Sequence, residues 1–157
     1  MNFAPIALFA YNRPWHIRKT VETLQKNELS EHSELFIYSD GPKNQEDREL
    51  VNEVRQYLHS IRGFKHIEII EQKRNSGLAD AIVSGVTEIV GTYGKTIVLE
   101  DDLVTSPYFL RYMNDALKFY KEDEQVMHIA GYMLPINSFG LPETFFYRIA
   151  SCWGWGT

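Results

Sequence analysis

The stretch "IVLEDDLVTSP", Ile97 to Pro107, runs three apolar residues directly into three acids, Glu100, Asp101 and Asp102. A short apolar run of this kind reads as a buried strand. Two carboxylates about 4 Å apart repel by about 4 kcal/mol at an effective dielectric of about 20, so the acids call for a positive partner. If the backbone stays extended, Glu100 and Asp102 point one way and Asp101 the other. Magnesium or manganese is commonly held by one or two carboxylates, with substrate phosphates completing the shell. The plainer reading is a solvated acidic loop that caps the next helix. Position in the fold decides between them.

Outward from this stretch, the chain alternates strand and helix. "PIALFA", Pro5 to Ala10, reads as a buried strand. Pro14 suits the first turn of a following helix, whose Ile17, Val21 and Leu24 share one face. "ELFIYS", Glu34 to Ser39, is a second strand ended by Gly41-Pro42, and Leu50, Val54, Tyr57, Leu58 and Ile61 mark a second helix. "HIEIIEQ", His66 to Gln72, is a third strand. A third helix carries Leu78, Ile82, Val86 and Ile89 in one stripe, with Asn75 or Ser76 as its cap. "KTIVLE" is the fourth strand, and Phe109, Met113, Ala116, Leu117 and Tyr120 mark a fourth helix. "QVMHIAGY" and "TFFYRI" are expected as fifth and sixth strands. This order predicts a Rossmann-like α/β fold, a mostly parallel sheet flanked by helices.

In such sheets ligands sit at the carboxyl ends of the strands. The polar clusters fall there: "YNR" after the first strand, "SDG" after the second, "KRNSG" after the third, "EDD" after the fourth. Four clusters on one sheet edge favour a ligand site over a solvated loop. Asp40 is placed to accept from the N–H of a nucleobase edge, or simply to start a turn. Asn12 and Arg13 follow the first strand, where a guanidinium can stack on a base or pair with phosphate. Arg74, Asn75, Ser76 and Gly77 open the third helix, whose free N–H groups attract anions. Trp153 and Trp155 would share one side of an extended segment. They can stack on a sugar or pack on the sheet. The histidines show no metal-ligand spacing, and His128 reads as a core residue.

Composition narrows the classes. A chain of 157 residues fits one domain with its own core. A net charge of −5 argues against a nucleic-acid partner but not against a small phosphorylated ligand. The single cysteine, Cys152, makes no internal disulfide and lacks a base partner in sequence, which fits a reducing compartment. No segment has the length of a membrane span and no signal peptide is evident. A cytoplasmic protein is expected, with peripheral membrane association left open. "YRIASCWGWGT" is an aromatic end, and the chain reads as a fragment, residues 1–157, of a longer protein.

The order "PIALFAYNRP", "FIYSDGPK", "RNSGLADAIVSG", "IVLEDDLVTSPYFL" resembles the nucleotide-diphospho-sugar transferase domain of the glycosyltransferase A fold. Asn75, Gly77 and Ala81 are similar to the family 2 pattern. "EDDL", "S-P-x-F", "YR" and "WGW" resemble the N-acetylglucosaminyltransferase I group and its bacterial relatives. The resemblance implies a UDP-sugar or other nucleotide-diphospho-sugar donor and a glycan or lipid-linked acceptor, in a polysaccharide or lipopolysaccharide pathway. It makes Asp102 the ligand of Mn2+ or Mg2+. Glu100 and Asp101 would contact that metal through water, or the ribose and sugar. Asp40 would read the base, and Tyr11, Asn12, Arg13, Arg74, Asn75 and Gly77 would complete the nucleotide-sugar site. Glu100 replaces the first acid of the family's "D-x-D". No catalytic base is assigned: the resemblance puts it, with the acceptor half, beyond Thr157, so the fragment is expected to be inactive alone. A nucleotidyltransferase is the competing enzyme, but "AYNRPWH" lacks the glycines of a triphosphate loop. A non-catalytic nucleotide-sugar module is the third reading.

Overall fold

The computed structural model describes residues 2–137 and 139–157. These residues form six strands and four α-helices, which alternate as far as β5: β1 (Ile6–Ala10), α1 (Pro14–Leu24), β2 (Glu34–Ser39), α2 (Gln45–Leu58), β3 (His66–Glu71), α3 (Leu78–Tyr93), β4 (Ile97–Glu100), α4 (Phe109–Phe119), β5 (Ile129–Ala130) and β6 (Trp155–Gly156). The sheet order is β3-β2-β1-β4-β6-β5. β1 to β4 are mutually parallel, while β6 runs antiparallel to both β4 and β5.

Alternation along the strands divides the core in two. Ile6, Leu8, Leu35, Ile37, Ile97 and Leu99 face a cluster closed by Ile17, Val21 and Leu24 of α1, Val54 and Leu58 of α2, and Phe109, Leu110 and Met113 of α4. Ala7, Phe9, Phe36, Tyr38 and Val98 face the opposite side, where Ile89 of α3 covers them. Gly85 lets α3 approach this face: a Cβ there would lie 2.9 Å from Tyr38 and 3.0 Å from Phe9. The helix stripes hold with two corrections. Leu50 of α2 and Leu78 of α3 are exposed: Leu50 lies off the face that Val51, Val54 and Leu58 turn to the core, and Leu78 is the first residue of its helix.

The last third of the chain departs from expectation. The fifth strand shrinks to Ile129–Ala130. "TFFYRI" forms no strand, and Phe146 stays 70% exposed. The physical reason is the edge of β4. Trp155 pairs there with Val98, and Gly156 with Ile97, so this short antiparallel strand takes the ladder. Gly154, at φ +72°, turns the chain between the two tryptophans, and they do not share an environment. Trp155 joins the α3-side cluster and stacks on His128 with centroids 5.2 Å apart, while Trp153 stays largely exposed beside Tyr132. Among the described residues no helix is long and apolar enough to cross a membrane.

Candidate functional site

Parallel pairing of β1 to β4 sends their carboxyl ends to one sheet edge. Ala10 is level with Ser39, and Ser39 with Glu71. Phe9 is level with Glu100, so Asp101 begins where β1 gives way to Tyr11. The four polar clusters therefore meet as the strand order requires.

The positive partner of the acids is Arg13. Its Nη1 donates to Asp102 Oδ2 at 2.9 Å, and its Nη2 donates to Asp101 Oδ1. The Tyr11 amide donates to the other Asp101 oxygen at 3.2 Å. β4 ends at Glu100 and the chain turns, so strand alternation does not carry on to Asp102. Asp101 and Asp102 instead share one guanidinium, and Glu100 lies on the strand itself, one step beyond Val98 and on the same face. Asp101 is buried, with Thr20 of α1 donating its hydroxyl to the Asp101 carbonyl at 2.9 Å. Burial pushes the Asp101 carboxyl up, against the downward pull of Arg13 and of the Tyr11 amide. Burial also pushes Glu100 up, and its acidic neighbours Asp102 and Asp101 add to the shift. For Arg13, burial works to lower the pKa, but the two carboxylates outweigh it and hold the group above its ordinary value.

Asp40 is the second focus. One oxygen accepts from the Gly41 and Ser76 amides at 2.8 and 2.9 Å and from the Ser76 hydroxyl at 3.2 Å. The other accepts from Asn75 Nδ2 and the Gly77 amide, both at 2.9 Å. These five donors match or exceed the roughly four lone-pair sites of a carboxylate. Two corrections follow. Neither Asn75 nor Ser76 caps α3; Gly77 is the cap residue, and both side chains turn to Asp40. The Ser76 and Gly77 amides just ahead of the helix hold an anion, and that anion belongs to the chain itself. Gly41 makes this junction feasible: a Cβ there would lie 2.5 to 2.8 Å from the Arg74 backbone. Arg74 itself is exposed.

The pattern of the family described as Glycosyl transferase family 2 matches residues 6–153. The chain belongs to that family. A search of curated proteins returns no match. Among solved structures, the crystal structure of S. aureus TarS is similar in fold, with a TM-score of 0.50 and 16% identity over 75% of this chain. The match covers 20% of the TarS chain, so this chain spans about one fifth of that protein's length. The six-stranded α/β sheet is that of the glycosyltransferase A fold.

Two residues of this glycosyl transferase domain that sequence reasoning passed over hold the site together. Asp47, in the first turn of α2, accepts from the Tyr11 hydroxyl at 2.8 Å and from Asn12 Nδ2 at 2.7 Å. Arg55, two turns on, donates to the carbonyls of Ser39, Asp40 and Gln72 at 3.4, 3.3 and 2.7 Å, which clips the ends of β2 and β3 together. An acid in a first helical turn and a basic residue later in the same helix are ordinary helix chemistry. No signal in the sequence marks either.

Among the described residues no three His, Cys, Asp or Glu side chains converge into a ready ligand set. Asp101 faces inward and is engaged on both oxygens. The Asp102 side chain is 40% exposed, and only its Oδ2 is taken by Arg13. One accessible carboxylate beside a half-buried Glu100 fits the donor set of a cation that a substrate diphosphate helps to hold.

Proposed function

We propose that this domain binds a nucleotide-diphospho-sugar, with a UDP-sugar favoured, at the carboxyl edge of its sheet. In the longer protein the sugar then passes to a hydroxyl of a glycan or lipid-linked acceptor. The observation that carries this reading is the meeting of Arg13, Asp101 and Asp102 across the ends of β1 and β4, in a chain of glycosyl transferase family 2. Asp102 would hold Mn2+ or Mg2+, which when bound supplies charge stabilisation for a departing diphosphate. Arg13 offers a guanidinium at the same point, with geometry suited to phosphate. Asp101 orients that guanidinium from the buried side, and Glu100 adds a second carboxylate at the rim.

Tyr11, Asn12, Asp40, Arg74, Asn75 and Gly77 line the nucleotide side. Asp40 serves there chiefly by fixing the Asn75–Gly77 loop, since a base edge would have to displace one of its present donors. The acceptor site and the base that takes the acceptor's proton lie outside these residues. A cytoplasmic setting and a role in building a surface polysaccharide complete the proposal.

The test is a calorimetric titration with UDP, UDP-sugars and GDP-sugars, with and without manganese. Manganese-dependent binding that disappears in Asp102→Ala is expected. A well-folded chain that binds no nucleotide at any manganese concentration would sink the reading.

A further inference from the structure

We infer that Asp47 is a positioning residue for the nucleotide site: it fixes the β1–α1 loop so that Tyr11 and Arg13 are presented to the donor. This rests on the donor-site reading above.

Asp47 does not reach the acids at the end of β4. It acts one step back. Its two oxygens are divided between consecutive residues of the loop, Oδ2 accepting from the Tyr11 hydroxyl and Oδ1 from Asn12 Nδ2. Two adjacent side chains held by one carboxylate fix the direction of the chain as it leaves β1. Arg13 is the next residue, and the Tyr11 amide is itself bound to Asp101. The loop is thus gripped from α2 on one side and from β4 on the other. Asp47 is anchored in turn, since Asn44 Oδ1 accepts its amide at 2.8 Å. The Tyr11 hydroxyl also accepts the Lys43 amide at 3.1 Å, so this phenol is tied at both its donor and its acceptor sites. Burial and the Asp47 contact together raise the Tyr11 pKa, the direction expected of a phenol that donates to a carboxylate. A helix in a parallel sheet of this kind could cap its own N-terminus with Asn44 alone. The carboxylate is spent on the neighbouring loop instead.

Four chains are compared: wild type, Asp47→Ala, Asp47→Asn and the double variant Asp47→Ala with Tyr11→Phe. The first measurement is hydrogen exchange at residues 11–13 without nucleotide. Asp47→Ala should speed exchange there while the rest of the sheet keeps its protection. Asp47→Asn should restore protection, because its amide oxygen can still accept from Tyr11 and the Asn12 amide can turn to meet it.

The second measurement is UDP affinity with saturating manganese. Asp47→Ala should bind about tenfold more weakly, as expected when a loop released from its two Asp47 contacts must be ordered on binding. Asp47→Asn should recover most of this, and the double variant should be no worse than Asp47→Ala. Unchanged exchange at 11–13 overturns the inference whatever the ligand does. Faster exchange with unchanged UDP affinity overturns it too, leaving Asp47 a structural contact only. If wild type binds neither UDP nor GDP, the donor-site reading fails, and the positioning role for a donor falls with it.

Discussion

Arg13 closes over Asp101, a half-exposed guanidinium on a carboxylate whose side chain is 3% exposed. The pair joins the first strand-end loop to the fourth across 88 residues of sequence. Its worth is asymmetric. Removing the guanidinium leaves a buried carboxylate with only the Tyr11 amide to hold it. Arg13→Met is expected to cost about 2 kcal/mol, between the value of an exposed pair and that of a fully buried one. Asp101→Asn added to it should return much of the loss, because the buried charge is then gone. Urea denaturation of the two single variants and the double variant measures the coupling. Additive losses would show that the pair contributes no coupling energy.

Arg13 also occupies Asp102 Oδ2, one of the two oxygens of the carboxylate proposed to hold a cation. The guanidinium and the cation then compete. Arg13→Lys keeps a positive charge but cannot bridge both carboxylates. It should bind manganese alone severalfold more tightly than wild type, while Asp102→Ala should bind none. Asp102 is exposed enough that its removal costs stability under about 1 kcal/mol. Calorimetry without nucleotide and thermal melts separate these two effects. Equal manganese affinity in Arg13→Lys and wild type would rule the competition out.

Asp40 and Gly41 lock the β2 end to the start of α3. Asp40→Ala strips an acceptor from three backbone amides and two side chains. The expected loss is about 3 kcal/mol, because partly buried donors are left unpaired. Gly41→Ala should be comparably severe, since the clashing atoms are the Arg74 backbone rather than a flexible side chain. Melting temperatures of both variants check this. A mild Asp40→Ala would mean that water replaces the carboxylate readily.

Glu100 gives a pH signature. Its folded pKa lies above the ordinary value because of burial, with Asp102 and Asp101 adding. A raised carboxyl contributes stability that is full below the unfolded pKa and is lost as pH rises through the folded one. At neutral pH the ionised Glu100 is therefore a strain on the fold. Glu100→Gln should raise the melting temperature at about pH 7.5 and leave it unchanged below about pH 4, the ordinary glutamate range. Parallel melting curves across that range would refute the assignment.

Much of the architecture was legible because hydrophobic periodicity is local. The buried strand "ELFIYS" and the stripe Ile17, Val21 and Leu24 are fixed by residues within one element. The two C-terminal strands were not, because a strand needs a free edge as well as a pattern. "TFFYRI" has the pattern, but Trp155–Gly156 takes the edge. At the site, the four polar clusters could be placed on one edge from parallel topology alone. Their partners could not. Asp47 and Arg55 look like ordinary helix residues until the neighbouring loops arrive.

The sequence by itself determined the alternation of strand and helix, the sheet edge where the polar clusters gather, and the need of Glu100, Asp101 and Asp102 for positive charge. Those follow from periodicity, from the direction of parallel strands and from Coulomb repulsion, all of which act over a few residues. Only the tertiary structure decided which positive charge answers them first, and that Asp40 is filled by its own chain. A hydrogen bond at 3 Å depends on how distant loops are set against each other, and that distance is written in no local pattern.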